Sequence, residues 1–362
     1  MRVRHGGELR AFSEKFGIPE RDILDFSSNI NPWGPTPSVL EAYEQSRDQL
    51  RLYPDPEALE FRREVARHFP LWPENVVAGN GAADLLDLIL RLLRPKRALL
   101  VEPCFLEYRR LLNLHRAEVR SIALKEGDSF EFSLPELLNS LSGVEVAILA
   151  NPNNPTGTAL DKSGIERFLS EAKRRNVFVI LDEAFVDWCP EFSVAREVKD
   201  DSSFFVVRSI TKFYSLPGIR IGFGLGSRKL VEKLAGYQVP WSTNGIAQLL
   251  GIAALRDEEF ARRSRQWLAQ ERSKFENELQ EIPGLKVYPS RANFVLVRSG
   301  SATEKPLLSE GLGKQGIYVR DLEEFPGLGP AYFRFAVRKR EENFLLVESL
   351  KRLKGSLAGS IA

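Results

Sequence analysis

The sequence predicts an α/β protein, with a large domain built on a mostly parallel sheet and a smaller α+β domain. Three observations carry that expectation. From about residue 57, short apolar runs alternate with segments of helical period. Near residue 240 the alternation gives way to a long helical stretch. After residue 285 short strands return, closed by one terminal helix. A chain of 362 residues is long enough for one large domain plus a smaller one.

Taken in order, residues 1–45 read as irregular. A Pro/Gly-rich loop lies at residues 31–37 and a helix starts at 38, running to about 50. Residues 57–69 have helical period. Residues 75–78 lead into Gly79-Asn80-Gly81, and a helix follows from 83 to 93. The buried-strand candidates are 98–102, 118–123, 144–150, 177–181, 204–207 and 219–225. Residues 246–282 read as one or two long helices able to bridge two domains. Strands are expected at 285–288, 294–297, 317–320 and 332–336, then a helix from 341 to 354. The expected division is a large domain over 46–245 and a small one from 1–45 together with 246–362.

Composition narrows the partners. With 51 basic and 49 acidic residues, the net charge of +2 is too balanced to argue for nucleic acid. No run of apolar residues is long enough to span a membrane, and the first residues lack the apolar core of a signal peptide. The two cysteines, Cys104 and Cys189, make no disulfide framework and point to a reducing, cytoplasmic setting. No metal site is expected.

Four groups of residues carry chemistry. Lys212 follows the run 204–207 and stands among Ser209, Thr211 and Arg220, so an amine sits beside three donors suited to a phosphate. Asp182 ends the apolar run 177–181, where the ligands of an α/β sheet bind. Asn154 lies in Asn151-Pro152-Asn153-Asn154-Pro155-Thr156-Gly157, a tight turn directly after the run 144–150. Gly81, Ala82 and Ala83 open a helix whose backbone N–H groups can meet a phosphate, and Phe105 is placed to stack on a ring. Alone, a lysine or a Gly-x-Gly is weak evidence. Together they supply what pyridoxal phosphate (PLP) requires: an imine-forming lysine, an acid for the pyridine nitrogen, phosphate donors and an aromatic wall.

With Asn154-Pro155-Thr156-Gly157, Asp182-Glu183-Ala184 and Ser209-Ile210-Thr211-Lys212 followed by Arg220, the chain resembles the fold-type I PLP enzymes of the class I/II aminotransferase family. The resemblance implies a mostly parallel seven-stranded sheet, a small domain from both termini and a homodimer. Tyr53, in Tyr53-Pro54-Asp55-Pro56, resembles the tyrosine that reaches the partner subunit's PLP phosphate. Phe185 stands where many relatives have tyrosine, so one hydrogen bond to the cofactor's ring oxygen is lost and Asn154 carries more of that duty.

Two branches of the family are similar: the threonine-phosphate decarboxylases of cobalamin biosynthesis and the histidinol-phosphate aminotransferases. His5-Gly6-Gly7, Asp25-Phe26-Ser27-Ser28-Asn29-Ile30-Asn31-Pro32 and Phe333-Arg334-Phe335-Ala336-Val337-Arg338 look more like the decarboxylase. By position the resemblance implies substrate contacts at His5, Gly6, Asn29, Asn154, Arg320 and Arg334. The expected substrate is a small phosphorylated amino acid. Arg334 would take its carboxylate, and Arg320, helped by the backbone near His5, its phosphate. The bond held perpendicular to the cofactor ring is the one that breaks, so these contacts choose between loss of CO₂ and loss of a proton.

Overall fold

A computed structural model describes residues 6–359 of the chain. Thirteen strands occur among them: β1 (Leu24–Asp25), β2 (Val76–Gly79), β3 (Arg97–Glu102), β4 (Glu118–Ala123), β5 (Val146–Ala150), β6 (Phe178–Asp182), β7 (Phe204–Ser209), β8 (Gly222–Leu225), β9 (Lys286–Tyr288), β10 (Phe294–Arg298), β11 (Ile317–Tyr318), β12 (Arg320–Asp321) and β13 (Tyr332–Ala336). Seven of them form the main sheet in the order β2-β8-β7-β6-β5-β3-β4. All neighbours in it run parallel except β8, which is antiparallel to both β2 and β7. The expected mostly parallel seven-stranded sheet is therefore present. Its central strands are continuous apolar runs, Val-Ala-Ile-Leu-Ala in β5 and Phe-Val-Ile-Leu in β6, because helices cover both faces.

A second sheet has the antiparallel order β12-β13-β10-β9, and β1 pairs in parallel with β11. The expected single strand at 317–320 is thus two strands in two sheets. The chain turns at Val319 so that Ile317 and Tyr318 face β1 while Arg320 and Asp321 face β13. The helical stretch expected at 246–282 is also two elements, Gly245–Arg256 and Glu258–Gln280. The break is a cap: the Asp257 carboxylate accepts from Phe260 N at 2.9 Å and starts the second helix. That helix packs on both the C-terminal helix Arg340–Gly359 and the turn Val186–Trp188 after β6.

Residues 6–45 are not irregular as expected. Helix Leu9–Phe16 lies there, its Phe12 ring 4.7 Å from Tyr318. It rests on another helix the sequence hides, Glu304–Lys314, which contains Pro306, Gly311 and Gly313. A Cβ on Gly313 would come within 2.1 Å of the Phe16 ring, so the residue that weakens the helical pattern is the one that lets the two helices approach. Strand β2 was also not among the strand candidates. It is a short edge strand that runs straight into the glycine turn at 79–81.

Candidate active site

Parallel strands bring their carboxyl ends to one edge of the sheet, and the residues of interest follow those ends. Register places Asp182 beside Ala150 on one side and Val207 on the other. The Asn151–Gly157 turn and the Lys212 loop therefore emerge next to the Asp182 carboxylate. A cavity of about 960 Å³ opens above them. Of the residues singled out by sequence, Gly6, Asn29, Ala83, Phe105, Asn154, Thr211, Lys212, Arg220, Arg320 and Arg334 all line it.

Gly81, Ala82, Ser209 and Asp182 do not line the cavity; Gly81, Ser209 and Asp182 each touch or act on groups that do. Asp182 is 6% exposed. One of its oxygens accepts from the Tyr108 hydroxyl at 2.7 Å and the other from Ala184 N at 2.8 Å. Burial raises the carboxyl above its ordinary range, and Tyr108, Ala184 and the Lys212 charge pull it back down. Burial pulls the Lys212 amine the other way, to about 8; Asp182 opposes that shift, and the Arg220 and Arg334 charges add to it.

At the other side of Lys212, the Ser209 and Thr211 hydroxyls lie 2.7 Å apart. Arg220 holds a φ of +56°, a left-handed conformation uncommon for a residue with a side chain. Its guanidinium lies over Gly81, whose missing Cβ would fall 2.5 Å from Nη2. Gly81 itself has φ +88° and caps the helix Ala82–Leu93. A guanidinium, two hydroxyls and a helix N-terminus thus converge where a phosphate dianion would be held. These residues fit PLP. The cradle over Gly81 suits its phosphate, the buried Asp182 suits a protonated ring nitrogen, and the depressed Lys212 amine suits imine formation.

The outer wall comes from elsewhere in the chain. Arg320 and Arg334 are paired in register on β12 and β13, so both point to the same face. Arg334 is 6% exposed. It donates to Asn154 Oδ1 at 2.5 Å and to the Ser27 carbonyl at 2.8 Å, and it stacks on Phe294 at 5.3 Å. Its Nε has no partner among the described residues. Burial and the neighbouring Arg320 both pull the guanidinium down, with Asp25 opposing. Because arginine keeps its proton, that shift means a buried cation short of negative charge. Arg320, stacked on Phe325 at 5.6 Å, is pulled down by burial as well, with Tyr318, Glu324, Asp321 and Glu8 opposing. Asn154 spends its oxygen on Arg334, which leaves its amide hydrogens for an acceptor in the cavity. Phe185 lines the cavity and packs edge-on against Phe294 at 5.0 Å.

Sequence reasoning passed over several residues of this site. Tyr108, three positions after Phe105 and in the first turn of the helix Leu106–Leu114, is the donor to Asp182; its nearness to Phe105 was the available signal. Asp25, Ser27, Ser28, Arg110 and Phe325 also line the cavity. One expected residue, His5, lies outside the described residues, and one is not brought to the cavity. Tyr53 is 83% exposed, its ring 4.9 Å from Trp241.

Comparison with known proteins agrees with this geometry. Residues 21–350 match the family described as aminotransferase class I and II. The chain belongs to that family. It is 34% identical over 356 residues to a threonine-phosphate decarboxylase of Salmonella typhimurium, covering 98% of this chain and 97% of that one. It is 29% identical to a histidinol-phosphate aminotransferase of Methanocaldococcus jannaschii, covering 93% and 91%. Among solved structures, histidinol-phosphate aminotransferase from Sinorhizobium meliloti in complex with pyridoxal-5'-phosphate superposes with a TM-score of 0.86 at 25% identity, covering 99% of this chain and 96% of that one. As a class I and II family member the chain is a PLP-dependent enzyme of fold type I. No helix among its described residues is long and apolar enough to cross a membrane.

Proposed function

We propose that this enzyme removes the carboxylate of L-threonine O-3-phosphate as CO₂, giving (R)-1-amino-2-propanol O-2-phosphate, a reaction of cobalamin biosynthesis. The observation that carries the reading is the pair Arg320 and Arg334, in register and facing one cavity with Lys212. Two guanidiniums side by side at one cavity suit a substrate with two anions. The 34% identity to a threonine-phosphate decarboxylase over nearly the whole chain supports it.

Lys212 would hold the cofactor covalently, with Asp182 on its ring nitrogen and Asn154 on its ring oxygen. Ser209, Thr211, Arg220 and the backbone of Gly81, Ala82 and Ala83 would hold its phosphate, and Phe105 its ring face. Bound there, PLP supplies a conjugated sink for the electron pair left when CO₂ departs. Arg334 and Asn154 orient the substrate carboxylate. Arg320, Gly6 and the adjoining His5 hold the phosphate, and Asn29 closes the side. Once the substrate's amine takes its place on the cofactor, the freed Lys212 amine would be placed to deliver the proton that replaces the carboxylate on the substrate carbon. The outward-facing Tyr53 would serve the cofactor phosphate of a second copy in a homodimer. We read residues 46–245 as the cofactor-binding domain, 1–45 with 246–362 as the second domain, and the cytoplasm as the setting.

The test is CO₂ release. The purified holoenzyme should release CO₂ from threonine O-phosphate with no keto acid present, and should act poorly on histidinol phosphate with 2-oxoglutarate. Turnover that depends on 2-oxoglutarate would instead favour an aminotransferase for a phosphorylated substrate.

A further inference from the structure

The loop between β1 and Pro32 does more than line the cavity, and its hydrogen bonds converge on one buried serine. Ser27 is fully buried. Its hydroxyl donates to Asp25 Oδ1 at 2.6 Å, and its own N–H donates to the same oxygen at 2.8 Å. Asp25 also accepts from the Ser28 N–H at 3.3 Å and from the Ser28 hydroxyl. One carboxylate therefore fixes the whole turn. With its proton committed to Asp25, the Ser27 hydroxyl is left as an acceptor, and Gly7 N donates to it at 2.8 Å. The Ser27 carbonyl accepts from Arg334 Nη2.

Gly6 lies flat on that same peptide. A Cβ there would be 2.2 Å from the Ser27 oxygen, a contact that no side chain can make. Ser27 thus touches two parts of the site that lie at opposite ends of the sequence: the segment at Gly6-Gly7, through its hydroxyl and its peptide face, and Arg334, through its carbonyl.

We propose that Ser27 is a positioning residue that couples the Gly6-Gly7 segment to Arg334, so that seating the segment and aiming the guanidinium are one event. This rests on the substrate reading above only in naming what Arg334 then holds. The physical argument is reciprocity. If the segment's docking holds the Ser27 carbonyl toward Arg334, then Arg334 must hold the segment's dock by the same free energy. Asp25 supplies the rigidity, since its Oδ1 holds the N–H groups of both Ser27 and Ser28.

Hydrogen exchange and steady-state kinetics on the holoenzyme test this together. Ser27→Ala removes the acceptor for Gly7 N and should raise amide exchange in the peptide spanning residues 6–16 by about tenfold. It should also raise KM for threonine O-phosphate by about tenfold, a larger change than any fall in kcat. The visible absorbance of the bound cofactor and the exchange of peptides from the main sheet should stay as in wild type, which separates the effect from misfolding. Arg334→Lys cannot hold Asn154 and the Ser27 carbonyl together, and should raise exchange in the same 6–16 peptide without any substrate present. Faster exchange with an unchanged KM in Ser27→Ala would overturn the coupling, as would a raised KM with unchanged exchange. So would Arg334→Lys with a 6–16 peptide protected as in wild type. If wild-type enzyme fails to act on threonine O-phosphate, the decarboxylase reading falls, and the exchange of the two variants still decides the coupling.

Discussion

The floor and the outer wall of the cavity are built on different principles. The floor residues Asp182, Asn154 and Lys212 each stand within a few positions of the carboxyl end of β6, β5 or β7. Parallel register alone brings them together. The wall joins Arg334 to Ser27 across 307 positions of sequence and sets Gly6 against the same peptide. The floor is fixed by buried parallel strands of the main sheet. The wall sets the arginines of β12 and β13 against loop segments, and loops open at low free energy in most proteins. The floor is therefore suited to holding a group permanently, and the wall to admitting and releasing one.

That contrast is sharpest at Lys212. Lys212→Ala should abolish turnover and remove both the yellow colour and the borohydride-trappable bond of a lysine-held cofactor. A yellow, borohydride-reducible Lys212→Ala protein would mean another amine does this work. The amine can be followed directly in cofactor-free protein. Its proton affinity is depressed to about 8, so it loses its proton as pH rises through that value, whereas an ordinary lysine keeps it to about 10.4. Acylation of Lys212, measured peptide by peptide against pH, should show a midpoint near 8. A midpoint above 10 at Lys212 would show that burial does not act on this amine.

The wall should respond differently. Arg320→Gln and Arg334→Gln each remove one charge-assisted contact, worth about 1.5–3 kcal/mol, so kcat/KM should fall roughly tenfold to a hundredfold, carried by KM. Cofactor absorbance should be unchanged. Arg334→Gln should cost more, because Asn154 and the Ser27 carbonyl lose their donor at the same time. If either substitution bleached the cofactor and left KM alone, floor and wall would not be separate devices.

How much the sequence revealed follows the same division. Lys212, Asp182 and Asn154 were legible because each directly follows an apolar run, and a strand end in a parallel sheet is where ligands bind. Arg320 and Arg334 were reached through family resemblance, since nothing in their local pattern separates them from surface arginines. Asp25 and Ser27 stand in the string that carries the resemblance but were not singled out as site residues, because their importance lies in what the turn touches. Helix Glu304–Lys314 escaped because Pro306, Gly311 and Gly313 interrupt its pattern, and Gly313 is there to admit Phe16. Long-range packing chose those residues, and no short window of sequence records it.

Tyr53 belongs to neither region, and its substitution should have the smallest effect. The ring is 83% exposed and leans on Trp241, so loss of the hydroxyl should change the stability of the chain itself by under about 0.5 kcal/mol. If the hydroxyl bonds the cofactor phosphate of a second copy, Tyr53→Phe should weaken PLP binding by about 0.5–1.5 kcal/mol, a few-fold to roughly tenfold. A mixed dimer tells whose site is served. Pair a Tyr53→Phe chain with a Lys212→Ala chain. The site that retains Lys212 then lies on the Tyr53→Phe chain, and the intact Tyr53 on the other. A tyrosine acting across the interface restores wild-type PLP affinity at that site; a tyrosine acting within its own chain leaves the weakened value. PLP titration of the active sites in verified mixed dimers reads the difference. A weakened value there would remove Tyr53 from the shared site, and with it the reason to treat the cavity as completed by a second copy.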